Sequence, residues 1–206
     1  MTAINQTLSQ ALPQFEHIRR YWDPVRKLHV AQILPGEVYV TKNHELISTL
    51  LGSCIAVCMR DKTKKIGGMN HFKLPKPANK GFDDENTNYG IYAMELLINE
   101  ILKNGGNKIN LEATVFGGGN MTKSLTADIG GKNTEFVLDF LRQESIPIID
   151  RDTGHNAAQQ IYYHPVTGKT FSVIKQNSSL EKVREEERLY MQRINAENEN
   201  SGMDFF

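Results

Sequence analysis

The chain is poor in cysteine, with two in 206 residues, has a single tryptophan, and carries no net charge, its 24 Lys and Arg balancing 24 Asp and Glu. Each scarcity excludes something. Without a basic excess, nothing in the charge balance draws the chain to nucleic acid or to an anionic membrane surface. No apolar run is long enough to cross a bilayer, and Met1–Tyr21 has no apolar core, so neither membrane insertion nor an export signal is expected. Two cysteines without an export signal are expected to stay reduced in the cytoplasm, where a thiolate remains available. The rest is the composition of an ordinary globular protein, 39% hydrophobic and 23% charged, long enough for one full core. No internal repeat is visible.

Three regions separate on composition. Residues 1–29 are polar, with one aromatic cluster at Tyr21-Trp22-Asp23-Pro24, and read as an N-terminal arm. Residues 30–176 carry the periodic segments, and residues 177–206 read as a charged helix followed by a mobile polar tail. In the middle region Glu37–Val40 reads as a strand and Leu46–Leu51 as an apolar run, with a hairpin after it. Lys76–Asn88, rich in Pro, Asn, Asp and Gly, reads as a loop. Tyr89–Lys103 has Ile91, Met94, Leu97, Ile98 and Leu102 at helical spacing, with Gly105-Gly106 after it. Leu111–Phe116 is a strand running into Gly117-Gly118-Gly119-Asn120. Asn133 reads as the N-cap of a helix to Gln143 that buries Phe136, Val137, Phe140 and Leu141. Ile146–Ile149, Gln160–His164 and Thr170–Lys175 are strands. The expected fold is a single α/β layered domain with a mixed β-sheet flanked by helices, plus a C-terminal helix.

The hairpin holds the chemistry. Gly52-Ser53-Cys54-Ile55-Ala56-Val57-Cys58-Met59-Arg60 and Lys65-Ile66-Gly67-Gly68-Met69-Asn70-His71 are separated by Asp61-Lys62-Thr63-Lys64, a common hairpin loop length. If Arg60 pairs with Lys65, every pair sums to the same number and Cys54 lies opposite His71. Their Cβ atoms would then be about 4.5–5.5 Å apart on one face. A thiol beside an imidazole can become a thiolate, the attacking species in nucleophilic catalysis, and a protonated His71 would lower its pKa below the free value. A one-residue slip would put the two on opposite faces.

Other reactive side chains read more plainly. Cys58 shares the face of Cys54 but lies about 13 Å along the strand, too far for a disulfide, and is expected to be a packed core thiol. Gly117–Asn120 lacks the Lys-Ser/Thr of a phosphate loop and reads as a tight loop bordering the reactive pocket. His155 and His164 read as surface or satisfied core histidines.

The segments Leu-Gly-Ser-Cys-Ile-Ala-Val-Cys-Met-Arg-Asp and Gly-Gly-Met-Asn-His-Phe-Lys-Leu-Pro, with His71 seventeen residues after Cys54, resemble the CheD family of chemoreceptor glutamine deamidases. The likeness extends to Phe116–Met121, to Ile129-Gly130 with Asn133, and to Asp150-Arg151-Asp152-Thr153-Gly154, covering roughly Ala31 to Lys175. The resemblance implies a protein-glutamine glutaminase that converts glutamines of methyl-accepting chemotaxis receptors to glutamate, with a CheC-type phosphatase as a second partner of some members. Cys54 would attack the carboxamide carbon, His71 would take the thiol proton and return it to the leaving ammonia, and water would hydrolyse the thioester. The N–H groups around Gly52, Ser53 and Cys54 are the nearest oxyanion donors, and no metal or organic cofactor is required. The family can place a threonine six residues before the cysteine to orient the histidine. Ser48 stands there in this chain and Thr49 is its neighbour, which leaves two candidate hydroxyls. The arginine that the family often carries after the Asp-x-Gly segment has no counterpart in His155-Asn156-Ala157-Ala158-Gln159.

Two competing readings are a non-catalytic adaptor that holds a receptor or phosphatase, supported by the terminal extensions, and a thiol redox sensor. The sensor lacks a resolving cysteine within reach of Cys54. At the C-terminus, Ser178 and Glu181 match a capping box. Leu180, Val183, Tyr190, Met191 and Ile194 fall near one helical face that Glu187 interrupts. Asn198–Phe206, ending in Phe205-Phe206, is a candidate docking tail.

Overall fold

A computed structural model describes residues 7–74, 85–120, 128–175 and 180–201. In chain order the elements are β1 (Arg19–Asp23), β2 (Leu28–Gln32), β3 (Val38–Thr41), β4 (Leu46–Leu51), β5 (Ile55–Asp61), β6 (Ile66–Phe72), α1 (Glu85–Lys103), β7 (Leu111–Gly117), α2 (Ile129–Gln143), β8 (Ile148–Thr153), β9 (Ala158–His164), β10 (Lys169–Lys175) and α3 (Leu180–Ser201). The strands form two mixed sheets, ordered β1-β2-β4-β9-β10 and β3-β6-β5-β7-β8. The expected α/β domain is present, with its single sheet divided in two.

The division follows from strands buried on both faces. Every residue of β6 is buried, and all of β5 but Arg60. On one face, Asn70 Nδ2 donates to Ala93 O of α1 at 3.0 Å and the Phe72 ring meets Phe136 of α2 edge-on. On the other, His71 reaches Thr49 of β4 in the first sheet. Sheet, sheet and helices therefore stack as three layers around one continuous core. Gly52-Ser53-Cys54 is the corner at which the chain leaves β4 in the first sheet and enters β5 in the second.

The N-terminal region is structured where the sequence suggests an arm. Residues 19–23 and 28–32 form β1 and β2, and β2 pairs in parallel with β4. Phe15 and Ile18 are buried, and Phe15 packs edge-on against Tyr39. Arg20 Nη2 meets Glu45 Oε2 at 2.7 Å, while the hydroxyls of Tyr39 and Thr41 donate to Glu45 Oε1. That buried network holds the segment in place although its composition is polar.

Two helix starts differ from expectation. α1 begins at Glu85, within the stretch read as a loop; residues 75–84 lie outside those described. α2 begins at Ile129, capped by Asp128, whose Oδ1 accepts from Gly131 N at 2.9 Å. Asn133 is thus buried inside the helix rather than capping it, while Phe136, Val137, Phe140 and Leu141 are buried as expected. At the C-terminus α3 runs to Ser201; Ser178 and Phe205-Phe206 lie outside the described residues. No helix among the described residues is long and apolar enough to cross a membrane.

Candidate active site

The hairpin forms in a register two units from the expected one. Asp61 pairs with Ile66, so His71 lies opposite Ala56, and Cys54 stands just before the first pair of β5, Ile55 with Phe72. The loop fixes this shift. Asp61 Oδ1 accepts from the N–H groups of Thr63 (2.7 Å) and Lys64 (2.8 Å), and Lys65 takes a left-handed φ of 55° before the chain re-enters the sheet. The four loop residues are therefore Lys62–Lys65. A shift of two preserves the alternation of faces within the ladder, and Cys54 lies two residues before Ala56, the residue opposite His71.

All three carbonyls of the corner are tied down from inside. Gly52 O accepts from Gly119 N (2.8 Å), Ser53 O from Asn133 Nδ2 (2.8 Å), and Cys54 O from Gly118 N (2.7 Å). The Gly117–Gly119 turn thus borders the corner, as its composition suggests. Gly117 has a φ of 99°, and a Cβ there would stand 2.3 Å from Cys54 O, so glycine is required on both counts. Asn133 also accepts from Leu74 N at 3.1 Å, joining the ends of both hairpin strands to α2.

The outward-facing donors of the corner are occupied. Ser53 N (2.8 Å) and Cys54 N (3.3 Å) both donate to Glu187 Oε1 on α3. Ser53 Oγ (2.6 Å) and Lys73 Nζ (2.9 Å) donate to Glu187 Oε2. Two adjacent backbone N–H groups converging on one carboxylate oxygen form the kind of anion cradle that a tetrahedral oxyanion needs.

His71 is oriented by Thr49, not Ser48. Thr49 Oγ1 donates its one proton to Ile33 O at 2.9 Å, so at 2.7 Å from His71 Nδ1 it accepts. The proton therefore lies on Nδ1, leaving Nε2 with a free lone pair. That nitrogen is buried and has no hydrogen-bond partner among the described residues. Ser48 Oγ instead accepts from Gln160 Nε2 at 2.7 Å. The choice follows strand alternation: Thr49 shares the core face of β4 with Ile47 and Leu51, and Ser48 points away.

A family model described as CheD chemotactic sensory transduction matches residues 73–173, beginning two residues past His71. A protein of Halorhodospira halophila named "Probable chemoreceptor glutamine deamidase CheD" is 38% identical over 97% of this chain and 95% of its own length. A second of that name, from Rhodopseudomonas palustris, is 43% identical over 89% of this chain and 87% of its own. A "CheD 1" protein of Shewanella oneidensis is 47% identical over 72% of this chain and 74% of its own.

The chain belongs to the CheD family.

In this CheD chain the thiol and imidazole are both neutral as the site stands. Cys54 is fully buried and His71 almost so. Burial, and after it the Glu187 carboxylate, pushes the Cys54 thiol well above its ordinary value, with Lys73 opposing. Burial lowers His71 to about 4, with Glu187 opposing. The expected thiolate–imidazolium pair is therefore absent from this closed arrangement. Burial by itself would raise the Glu187 carboxyl. Lys73 and the Ser53 hydroxyl and N–H outweigh it, holding Glu187 ionised below the ordinary glutamate value.

The remaining candidates fall elsewhere. Cys58 is buried in β5 opposite Met69, and burial alone raises its thiol. His155 Nε2 is held by Asp152 Oδ1, and the His164 ring packs edge-on against His44. Among the described residues no three His, Cys, Asp or Glu side chains gather as a metal site. Thr49, Lys73 and Glu187 line this candidate site without a definite role in the sequence reading, and Asn133 lines it after being read there as a helix cap. For Glu187 a signal existed, a single acid breaking an apolar helical stripe.

Proposed function

We propose that this chain hydrolyses glutamine side chains of methyl-accepting chemotaxis receptors to glutamate, in the manner named for its CheD relatives. The observation that carries this reading is the corner itself. A buried cysteine sits with two N–H donors that grip a glutamate carboxylate, the product's own functional group, and the paired strand carries a buried histidine whose Nε2 has no hydrogen-bond partner among the described residues.

In this mechanism the substrate carboxamide oxygen takes the place of Glu187 Oε1 on the Ser53 and Cys54 N–H groups. His71 Nε2 accepts the Cys54 proton as sulfur attacks the carboxamide carbon, a general base that starts neutral and becomes charged only during the step. Thr49 holds the Nδ1–H and so keeps Nε2 basic toward the thiol. The carbon–nitrogen bond breaks as His71 returns the proton to the leaving ammonia. Water then hydrolyses the thioester, regenerating the thiol and leaving glutamate.

We place the reaction in the cytoplasm, where both thiols stay reduced. A CheC-type phosphatase as a second partner rests on the family resemblance alone, and co-purification with such a phosphatase tests it. The complete cover over Cys54 favours one other reading, a non-catalytic adaptor. Ammonia release from a receptor cytoplasmic fragment separates the two. The deamidase releases ammonia and Cys54→Ala does not; no release from the native chain sinks the enzymatic reading.

A further inference from the structure

α3 closes the site with the reaction product's chemical group. The helix buries Val183, Tyr190 and Ile194 on one stripe, each 2% exposed, and Glu187 lies on the same stripe between the first two. Tyr190 Cε2 stands 2.6 Å from where a Cβ on Gly36 would lie, so this glycine leaves room for the ring. The Tyr190 hydroxyl donates to Tyr89 Oη of α1 at 2.9 Å, and Arg193 Nη2 donates to Pro35 O at 3.3 Å. These contacts hold the helix at the mouth of the site and bring the glutamate side chain onto the corner.

The four contacts to Glu187 distinguish a carboxylate from a carboxamide. Oε1 on two N–H groups suits either group, because both present an oxygen there. Oε2 accepts from Lys73 Nζ, a cation with no lone pair, which an amide NH2 cannot do. The site therefore holds Glu187 as it would hold a newly formed glutamate, by four donors and one ion pair. An attached competitor also acts at a high effective concentration.

We propose that α3 is a displaceable, product-like inhibitor of this site, seated where a substrate helix must dock, with Glu187 standing in for the product glutamate. The proposal rests on the deamidase reading given above. The seat also describes its partner: one amphipathic helix presenting a glutamine at the position of Glu187, with apolar residues four before, three after and seven after it. Until such a helix displaces α3, Cys54 is sealed and its nearest oxyanion donors are filled.

Two readouts on the full-length protein test this. The first is alkylation of Cys54 by iodoacetamide, located by peptide mass, which needs no catalysis. Glu187→Ala removes the acceptor of four donors and should speed labelling about tenfold or more, the scale of a lost charge-assisted hydrogen bond. Labelling that is equal in the native chain and in Glu187→Ala overturns the proposal, whatever the turnover assay shows.

The second readout is Glu187→Gln, which places a carboxamide on the corner. Cys54 should attack its side-chain carbon and release ammonia, and hydrolysis should restore glutamate, seen as replacement of the side-chain NH2 by oxygen in the intact mass. Adding Cys54→Ala to that variant should leave the introduced glutamine unchanged. If the introduced glutamine persists while a receptor fragment is deamidated normally, the product analogy is wrong and the deamidase reading stands. If neither is converted, the deamidase reading fails and takes the proposal with it.

Discussion

Thr49 Oγ1 lies 2.7 Å from His71 Nδ1 and accepts its hydrogen bond, because the threonine's own proton is committed to Ile33 O. One buried hydroxyl thus chooses the histidine tautomer and leaves Nε2 as the basic nitrogen.

Thr49→Val should lower kcat for ammonia release roughly 10- to 100-fold, because nothing then holds the Nδ1–H tautomer. It should also cost about 1–3 kcal/mol of stability through the orphaned Ile33 carbonyl. Thr49→Ser should recover most of the activity, and Ser48→Ala should leave it near normal. The histidine 15N shifts report the tautomer directly, separating orientation from general loosening. An unchanged tautomer with lost activity would remove the positioning role.

Cys54→Ser and His71→Gln should each abolish deamidation while the protein still melts cooperatively. Cys58→Ala should keep most activity and cost about 1–2 kcal/mol, as a small buried truncation does. The check is ammonia release beside a urea melt. An active Cys54→Ser with a dead Cys58→Ala would move the nucleophile to the other thiol.

His71 is neutral in the folded protein down to about pH 4, whereas in the unfolded chain it protonates near 6.5. Between those values the unfolded state binds the extra proton, so stability is full above about pH 6.5 and falls as pH drops toward 4. The loss from this one group is on the order of 3 kcal/mol. Urea melts at pH 7 and pH 4.5 should show a smaller drop in His71→Gln than in the native chain. Equal drops would mean that His71 is not held neutral by burial.

Asn133 bridges Leu74 N and Ser53 O from inside α2. Asn133→Asp keeps an acceptor for Leu74 but loses the donor to Ser53 O, placing a carboxylate against a carbonyl. Stability should fall by about 2–4 kcal/mol, and kcat should fall further than in Cys58→Ala, since the corner that carries the N–H donors is released. Melting temperature and kcat measured together decide it. A full kcat in a destabilised protein would make the bridge purely structural.

Much of the site is legible in the chain itself. Alternation with period two predicts Cys54 and His71 on one face, and the register error, being even, leaves that alternation unchanged. The error arises at Asp61, whose side chain caps the loop and delays the turn by one residue, an effect of local hydrogen bonding that hydrophobic pattern does not carry. The apolar spacing of α1 and α2 and the glycine turn at Gly117 are equally visible, since each follows from neighbours within a few positions. Sheet membership is not. Whether Thr49 or Ser48 meets His71 depends on which face of β4 turns toward β6, a contact between sheets that no single strand encodes. Asn133 looks like a helix cap because a polar residue at a helix start is the local optimum. Its partners on Leu74 and Ser53 exist only after the hairpin packs on α2. Glu187, 133 residues from Cys54, is visible only as a flaw in an apolar stripe. Local periodicity was enough to single out Cys54 and His71 as a candidate pair. Folding in three dimensions set what holds that pair and what covers it, because those contacts join segments whose order along the chain says nothing about their distance in space.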